Sequence, residues 1–175
     1  SETCQAPNHP QKPDWGKRDV PFSRELWIER EDFQEHPPKG YFRLFPGNEV
    51  RLRYGFVVKC TGAEKDAAGN IAAVHCEYYP DSKSGTAGAN EYKVKGNIHW
   101  VCARSACRAE VRLYDRLFRV PHPGAGDRSF LDDINPDSKR LVTACLEPAL
   151  KDARPEDRFQ FERHGYFVAD RVDSM

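Results

Sequence analysis

Two stretches of this chain alternate apolar and charged residues in the pattern of half-buried β-strands. The first is Val94–Phe118, VKGNIHWVCARSACRAEVRLYDRLF, and the second is Phe159–Phe167, FQFERHGYF. Because successive side chains of a strand point to opposite faces, a period of two predicts sheet with one apolar and one charged face. Helical periodicity is scarce elsewhere, and many short strands between turn residues are typical of barrels and sandwiches. The sequence therefore predicts a mainly-β fold.

Turn residues divide the rest of the chain into further predicted elements. The residues 1–24, rich in Pro and Lys, predict an extended arm or an entering linker, and the Ser/Gly/Ala-rich segment Asp81–Asn90 predicts a mobile loop. Single helical turns are predicted within Arg30–Glu35 and Ser129–Ile134. The predicted strands are Leu26–Glu29, Tyr41–Leu44, Glu49–Lys59, Phe56–Lys65, Ile71–Tyr79, Lys93–Ala103, Ala109–Leu117, Arg140–Leu146, Arg158–Glu162 and Tyr166–Asp170.

Composition restricts the class of protein. The chain has 175 residues, 27 basic and 27 acidic residues, and therefore a formal net charge of zero. Its mean hydropathy is −0.77, and it lacks the run of about 18 apolar residues that a membrane-spanning helix needs. The first residues contain no apolar segment of a signal peptide. We expect a cytoplasmic protein without membrane contact.

The sequence offers little to an enzyme. His99, Cys102 and Cys107 follow one another along one predicted strand and the turn after it, but no second pair of ligands completes a zinc site, so free buried thiols are predicted instead. His99 is predicted to be packed or hydrogen-bonded. The paired acids that include Asp32 and Asp133 lie near predicted helical turns, where they would favour the helix dipole. We predict no catalytic residue, no metal and no cofactor.

Basic and aromatic residues are interleaved between Lys39 and Lys59. Guanidinium groups can meet phosphates or base edges, and rings can stack on unpaired bases, so this composition suits an RNA groove. Barrel strands of any function also alternate inward aromatic with outward charged residues, and the pattern alone leaves both interpretations open. The basic residues are Lys39, Arg43, Arg51, Arg53 and Lys59, against one acid, Glu49; the aromatic residues are Tyr41, Phe42, Phe45, Tyr54 and Phe56.

Nine ordered segments resemble the C-terminal, anticodon-binding half of glutaminyl-tRNA synthetases. They are Pro7–Pro10 (PNHP), Val20–Ser23 (VPFS), Leu26–Phe33 (LWIEREDF), Gly47–Arg53 (GNEVRLR), Lys93–Val101 (KVKGNIHWV), Glu110–Phe118 (EVRLYDRLF), Ile134–Pro136 (INP), Glu147–Ala153 (EPALKDA) and Phe159–Phe167 (FQFERHGYF). The resemblance covers nearly the full chain. The related glutamate enzymes with a barrel-type anticodon domain are the nearest alternative.

The resemblance assigns roles to four residues. Arg51 resembles the arginine that contacts the first anticodon base, and Arg43 resembles the one that reads the third. Gln160 and Arg163 resemble the pair that binds the central uridine. These side chains suit the roles, because Arg offers a planar fork of donors and Gln pairs a donor with an acceptor.

Five further residues complete the predicted site. Phe42 stands where better-known members of the family carry a polar or basic side chain, and its ring would replace charge by stacking. Gln11 stands where the family has Asn. From local charge alone, Lys39, Arg53 and Lys59 are expected to contact phosphates.

The resemblance also implies an architecture of two antiparallel β-barrels. Residues 25–117 would form the distal barrel, inserted into an incomplete proximal barrel of residues 1–24 and 118–175. A further base-binding arginine is expected upstream of Ser1 and a closing strand beyond Met175, so the chain resembles a fragment.

The parent enzyme would attach glutamine to its tRNA using ATP and Mg²⁺ in an N-terminal catalytic domain, whose signatures are absent from this chain. The fragment is expected to be a non-catalytic monomer with two partners, the anticodon loop of glutamine tRNA and that catalytic domain. Three alternatives remain, namely a ribosomal-protein-like barrel for structured RNA, a protein-interaction module and an independent enzyme.

Overall fold

Short strands and single turns of 3-10 helix make up this protein, for which a computed structural model describes residues 2–173. The strands are β1 (Glu2–Pro7), β2 (Lys17–Phe22), β3 (Leu26–Ile28), β4 (Glu49–Leu52), β5 (Val57–Lys65), β6 (Ile71–Tyr78), β7 (Gly96–Ile98), β8 (Trp100–Cys102), β9 (Cys107–Tyr114), β10 (Lys139–Leu146), β11 (Arg158–Phe161) and β12 (Gly165–Val168). The helical turns are Pro13–Trp15, Arg30–Asp32, Pro80–Ser82, Ala87–Glu91, Phe130–Asp133 and Pro148–Asp152.

The chain divides into two units, the first of which combines the residues up to Ala106 with those from Glu147 onward. Its largest sheet has the order β6-β5-β4-β7, antiparallel except for the parallel pair of β4 and β7. Three antiparallel two-stranded sheets accompany it, β1–β2, β3–β8 and β11–β12. The core gathers the inward side chains of these strands, and the Phe22 ring lies 4.7 Å from that of Phe56 and 5.6 Å from that of Trp100.

The second unit is Cys107–Leu146. Its strands β9 and β10 pair antiparallel over their full lengths. Between them, the Ser129 hydroxyl accepts a hydrogen bond from the Leu131 N–H and caps the turn Phe130–Asp133. Asp133 is buried, accepts from the Gly124 N–H at 3.0 Å and lies 3.3 Å from Arg128 Nη2.

The predicted mainly-β class is confirmed, since the longest described helical turns have five residues. The described sheets are small and open, and the arrangement as a proximal and a distal barrel stays a prediction, as do the boundaries of these barrels. No described helix is long and apolar enough to cross a membrane. The six cysteines are free; Cys4, Cys60 and Cys102 are buried as predicted, whereas Cys76 is exposed.

The extended arm predicted for residues 1–24 is wrong, because β1 and β2 form a hairpin that contributes to the core. The strands pair antiparallel, and every second residue from Cys4 and from Val20 is buried. Pro and Lys residues conceal this short alternation in the sequence. The buried residues are Cys4, Ala6, Val20 and Phe22.

The strands predicted at Tyr41–Leu44 and Glu49–Lys59 also need correction. Tyr41–Leu44 contributes only an isolated bridge of Leu44 with Phe33. Glu49–Lys59 is two strands, because the chain reverses after Leu52 through Tyr54, whose φ is 58°. A local reversal without Pro or Asn-Gly gave no turn signal in the sequence.

The strand predicted at Lys93–Ala103 is interrupted at His99. The chain changes partner there, since β7 pairs with β4 and β8 pairs with β3. The loop predicted at Asp81–Asn90 is instead folded into parts of two helical turns, with Ser82 fully buried. Both features depend on contacts that are distant in the sequence.

Candidate nucleic-acid interface

The centre of the candidate site is Asp32, whose side chain is 0% exposed. Arg163 donates from both Nη atoms to the two carboxylate oxygens, each at 2.6 Å. Arg43 Nη1 lies 3.2 Å from Asp32 Oδ1. The hydrogen bonds that Arg163 donates to Asp32 raise the pKa of Arg163 above its usual value. Two arginines predicted from the sequence to read neighbouring bases therefore meet at one carboxylate.

The loop between β11 and β12 directs Arg163 toward Asp32. Arg163 adopts the left-handed conformation, with a φ of 65°, in a tight three-residue connection. On one side of it, Glu162 pairs with Arg53 at 2.5 Å, and on the other, His164 Nε2 lies 3.0 Å from a carboxylate oxygen of Glu29. The tip of the hairpin is therefore held to the rest of the first unit by two ion pairs and by the hydrogen bond between His164 and Glu29.

An open groove of about 610 Å³ lies beside Arg43. Phe42 lines it with a ring that is 53% exposed, and Lys95 Nζ lies 5.3 Å from the ring centroid. The backbone of β7 lies close to the Phe42 carbonyl because Gly96 has no side chain. A Cβ atom there would collide with the Phe42 carbonyl oxygen and lie 2.7 Å from Val50 Cγ1. The groove thus combines an exposed ring, a cation and a guanidinium.

Gln160 lies on the outer face of β11, directly opposite Tyr166 of β12. Gln160 is exposed, and Tyr166 is 84% exposed. Ala169 N donates to the Asp157 carbonyl, so the alternation of an antiparallel ladder makes Gln160 and Tyr166 a non-hydrogen-bonded pair, in which side chains lie close together. An amide and an aromatic ring therefore stand side by side on this face.

Arg51 points into the protein rather than toward the groove. Its Nη1 donates to the Ser82 carbonyl at 2.8 Å, and its Nη2 donates to the Ala89 carbonyl at 2.9 Å. Ser82 is itself fixed, because its hydroxyl accepts from Val57 N at 2.8 Å. Arg51 therefore holds residues 80–92 in place, and its predicted contact with the first base stays a prediction.

The other predicted contacts lie in different environments. Arg53 is paired with Glu162, and its guanidinium carbon lies 5.1 Å from the Tyr54 ring centroid. Lys39 is exposed, and Lys59 is half-buried on β5. Gln11 is exposed in the connection of β1 and β2, where its N–H donates to His9 Nδ1 at 3.1 Å. The structure thus brings Arg43 and Arg163 together at Asp32, with Phe42 in the groove beside Arg43 and Arg53 paired to the β11–β12 hairpin. Arg51 and Gln11 instead form hydrogen bonds with other parts of the chain.

Sequence reasoning missed Asp32 as a member of the site. The acids near helical turns were expected to favour a helix dipole, but Asp32 ends its turn and is buried against arginines. Asp133 in the second unit is likewise buried and is paired with Arg128. The partner of Asp32 in the hairpin lies 131 residues away, so no local pattern signals the pair.

A second, half-buried ion pair joins β2 to the segment after β10. Arg18 donates to Glu147 from Nε at 2.5 Å and from Nη2 at 3.0 Å, and His99 Nε2 lies 3.7 Å from the same carboxylate. Burial alone would raise the pKa of Glu147, but the neighbouring His99 ring and the hydrogen bonds from Arg18 outweigh burial and lower it to about 2. His99 is thus packed beside a carboxylate.

Comparison with known families gives the same assignment as the motifs. Two family models match the chain, over residues 1–79 and 97–170, and both describe the anticodon-binding domain of class I tRNA synthetases (E and Q). The chain belongs to this family of anticodon-binding domains, and within it to the glutaminyl-tRNA synthetases.

The curated relatives support the glutamine branch. The chain is 71% identical to a glutamine–tRNA ligase of Cupriavidus metallidurans and 69% identical to one of Ralstonia nicotianae, each over all of this chain and 30% of the relative. A glutamine–tRNA ligase of Nitrosomonas europaea is 57% identical over 99% of the chain and 31% of the relative. The chain thus spans about 30% of the length of these relatives.

Proposed function

We propose that this chain binds the anticodon loop of a glutamine-accepting tRNA through the surface around Asp32 and the outer face of β11 and β12. The observation that carries the proposal is the convergence of Arg43 and Arg163 on one buried carboxylate, beside a groove with an exposed aromatic ring. Membership of an anticodon-binding family supports it.

The chemistry of these side chains suits unpaired bases. A guanidinium has five N–H donors, and Asp32 accepts from two of those on Arg163. The remaining donors can meet base acceptors or phosphate oxygens. Gln160 presents a donor beside an acceptor, which matches a uracil edge, and the rings of Phe42 and Tyr166 can stack on bases.

The chain would act as the recognition part of a larger enzyme. Its relatives are glutamine–tRNA ligases, of which it spans about 30%. Under the proposal, ligation of glutamine with ATP and Mg²⁺ belongs to a catalytic domain outside this chain, and this chain contributes selection of the tRNA by its anticodon.

Fluorescence anisotropy tests the proposal directly. The chain is titrated into a glutamine-tRNA anticodon stem-loop, a scrambled-loop control and a fully paired RNA stem, each at two salt concentrations. We expect tighter binding to the cognate loop that persists at the higher salt, because base contacts do not release counterions. Equal and salt-sensitive binding to all three RNAs would contradict anticodon recognition.

Substitution of the arginines locates the binding surface. Arg43→Ala is expected to weaken binding of the cognate loop by about 1–3 kcal/mol, and binding of the scrambled loop much less. Arg51→Ala is expected to cost a similar amount, partly by releasing residues 80–92. Arg128→Ala, which removes a pairing arginine from the second unit, is the matched control. Equal losses on both loops would mean that Arg43 holds only phosphate.

A further inference from the structure

We infer that Asp32 is a positioning residue that orients Arg43 and Arg163 together, so that recognition of the two bases they contact is energetically coupled. The inference rests on the proposed function of the same surface. Under this inference, Asp32 controls discrimination at two anticodon positions although it need not contact RNA.

The geometry at Asp32 Oδ1 carries the coupling. This single atom accepts from Arg163 Nη1 at 2.6 Å and lies 3.2 Å from Arg43 Nη1. Oδ2 accepts from Arg163 Nη2 at 2.6 Å and completes a two-pronged contact that fixes the plane of that guanidinium. Because both guanidiniums lie against one carboxylate oxygen, at 2.6 and 3.2 Å, a displacement of either changes the position available to the other.

The backbone around Asp32 keeps the carboxylate in place. Asp32 N donates to the Glu29 carbonyl at 3.0 Å, and the Asp32 carbonyl accepts from Leu44 N at 2.9 Å. The neighbouring Phe33 and Leu44 are in the core and form an isolated bridge. Asp32 is thus a fixed point to which the longer and more flexible arginine side chains adjust.

The charges explain why this arrangement favours RNA. Two guanidiniums and one carboxylate leave a single net positive charge in the cluster of Arg43, Arg163 and Asp32, and Asp32 also screens the repulsion between the two cations. A side chain that is held before binding loses less freedom when it meets its ligand. Removal of the carboxylate would leave the two arginines repelling each other and without a shared orientation.

Asp32→Asn is the direct test, because the amide has nearly the same shape but replaces one acceptor oxygen by a donor. We expect binding of the cognate loop to weaken ~10–100-fold, the range for a lost hydrogen bond to a charged group. Discrimination against loops altered at the second or third base should fall as well, whereas discrimination at the first base should persist. A purely structural role would weaken all three equally.

Asp133→Asn is the matched control, since Asp133 is also buried and also paired with an arginine, in the second unit. We expect this change to leave base discrimination intact. Thermal unfolding of both variants, followed by circular dichroism, establishes whether they are folded.

Arg163→Lys supplies a test that does not depend on the folding of Asp32→Asn. Lysine keeps a cation beside Asp32 but loses the planar fork, so Arg43 should lose its fixed neighbour. We expect discrimination at the third base to fall although Arg43 is unchanged. Undiminished discrimination at that base would overturn the coupling.

A double-mutant cycle completes the test. In the presence of Asp32, the effects of Arg43→Ala and Arg163→Ala on binding should be non-additive, and in combination with Asp32→Asn they should add. Additive effects in both cases would overturn the inference and leave the proposed function intact. Failure of the unaltered chain to distinguish any altered loop would instead overturn the proposed function and the inference with it.

Discussion

At the scale of single residues, the described acids that lie deepest in this protein are accompanied by arginine. Asp32 has Arg163 and Arg43, Asp133 has Arg128, and Glu147 has Arg18. Burial of an unpaired carboxylate is costly, so each acid needs a cation and each arginine gains a fixed direction. The same requirement that stabilises the fold thus also orients side chains at the candidate site.

Glu147 allows this requirement to be tested through pH. The pKa of its carboxyl is lowered to about 2 in the folded protein, against an ordinary value of 4.5. A lowered pKa contributes stability that is fully present above the unfolded value and is lost as the pH falls toward the folded one. Glu147→Gln should therefore reduce the free energy of unfolding at pH 7 by about 2–3 kcal/mol and flatten its decline between about pH 5 and pH 2.

Urea unfolding at a series of pH values measures this effect. Glu110→Gln is the control, because Glu110 is paired with Arg112 on an exposed surface, where ion pairs contribute little. Parallel pH profiles for Glu147→Gln and the unaltered chain would mean that the buried pair does not contribute to acid stability.

At the scale of elements, the sequence predicted those strands and turns whose cause is local. The hairpin of β5 and β6 follows from Asp66–Asn70, where the Asp66 carboxylate accepts from the backbone N–H groups of Ala68 and Asn70. The two strands that pair as β11 and β12 and the helical turn after Ser129 are likewise predicted from the sequence. In each case the sequence pattern that predicts the element lies within the residues that form it.

Elements that depend on distant partners were not predicted. Residues 80–92 have the composition of a loop, and hydrogen bonds from the Arg51 guanidinium to their carbonyls and from the Val57 N–H to the Ser82 hydroxyl help to hold them in place. In the candidate site, too, some residues have a signal in the sequence and others depend on distant partners. The resemblance indicated Arg43 and Arg163, but Asp32, which brings them together, could not be recognised without the fold.

Gly96 gives a test at the level of strand packing. Its backbone in β7 lies against the Phe42 carbonyl, and an added Cβ would collide with that oxygen and lie 2.7 Å from Val50 Cγ1. Gly96→Ala should therefore destabilise the protein by about 1–3 kcal/mol and distort the groove. Gly62→Ala is the matched control, since an added Cβ there meets nothing within 4 Å.

Urea unfolding and binding of the anticodon loop should both respond to Gly96→Ala, whereas Gly62→Ala should change neither. A Gly96→Ala variant as stable as the Gly62→Ala variant would show that β7 can move away from Phe42 at little cost.

At the scale of the whole molecule, charge is balanced both in total and locally. The formal net charge is zero, and several cations of the candidate site already have acidic partners. Arg43 and Arg163 share Asp32, and Arg53 is paired with Glu162. Such a surface should bind RNA less through general attraction to phosphate than through directed contacts with bases.

The salt dependence of binding therefore distinguishes the lysines from the arginines. Within residues 2–173, Lys39 and Lys59 have no acidic partner in an ion pair, so of the three cations predicted to contact phosphate they are more available than the paired Arg53. Each phosphate neutralised on a single strand contributes about −0.7 to the slope of log K against log salt. We expect a slope of about −1 to −2 for the cognate loop, reduced toward zero when Lys39 and Lys59 are both replaced by Ala.

Anisotropy titrations between 50 and 200 mM salt, the range over which phosphate binders typically weaken, measure this slope. Arg53→Ala should leave it nearly unchanged, since Glu162 already neutralises that guanidinium. A slope steeper than about −4 would mean that the paired arginines separate from their carboxylates when RNA binds and then neutralise phosphates themselves. In that event the ion pairs around Asp32 would be a resting arrangement of the free protein, and base recognition would require their release.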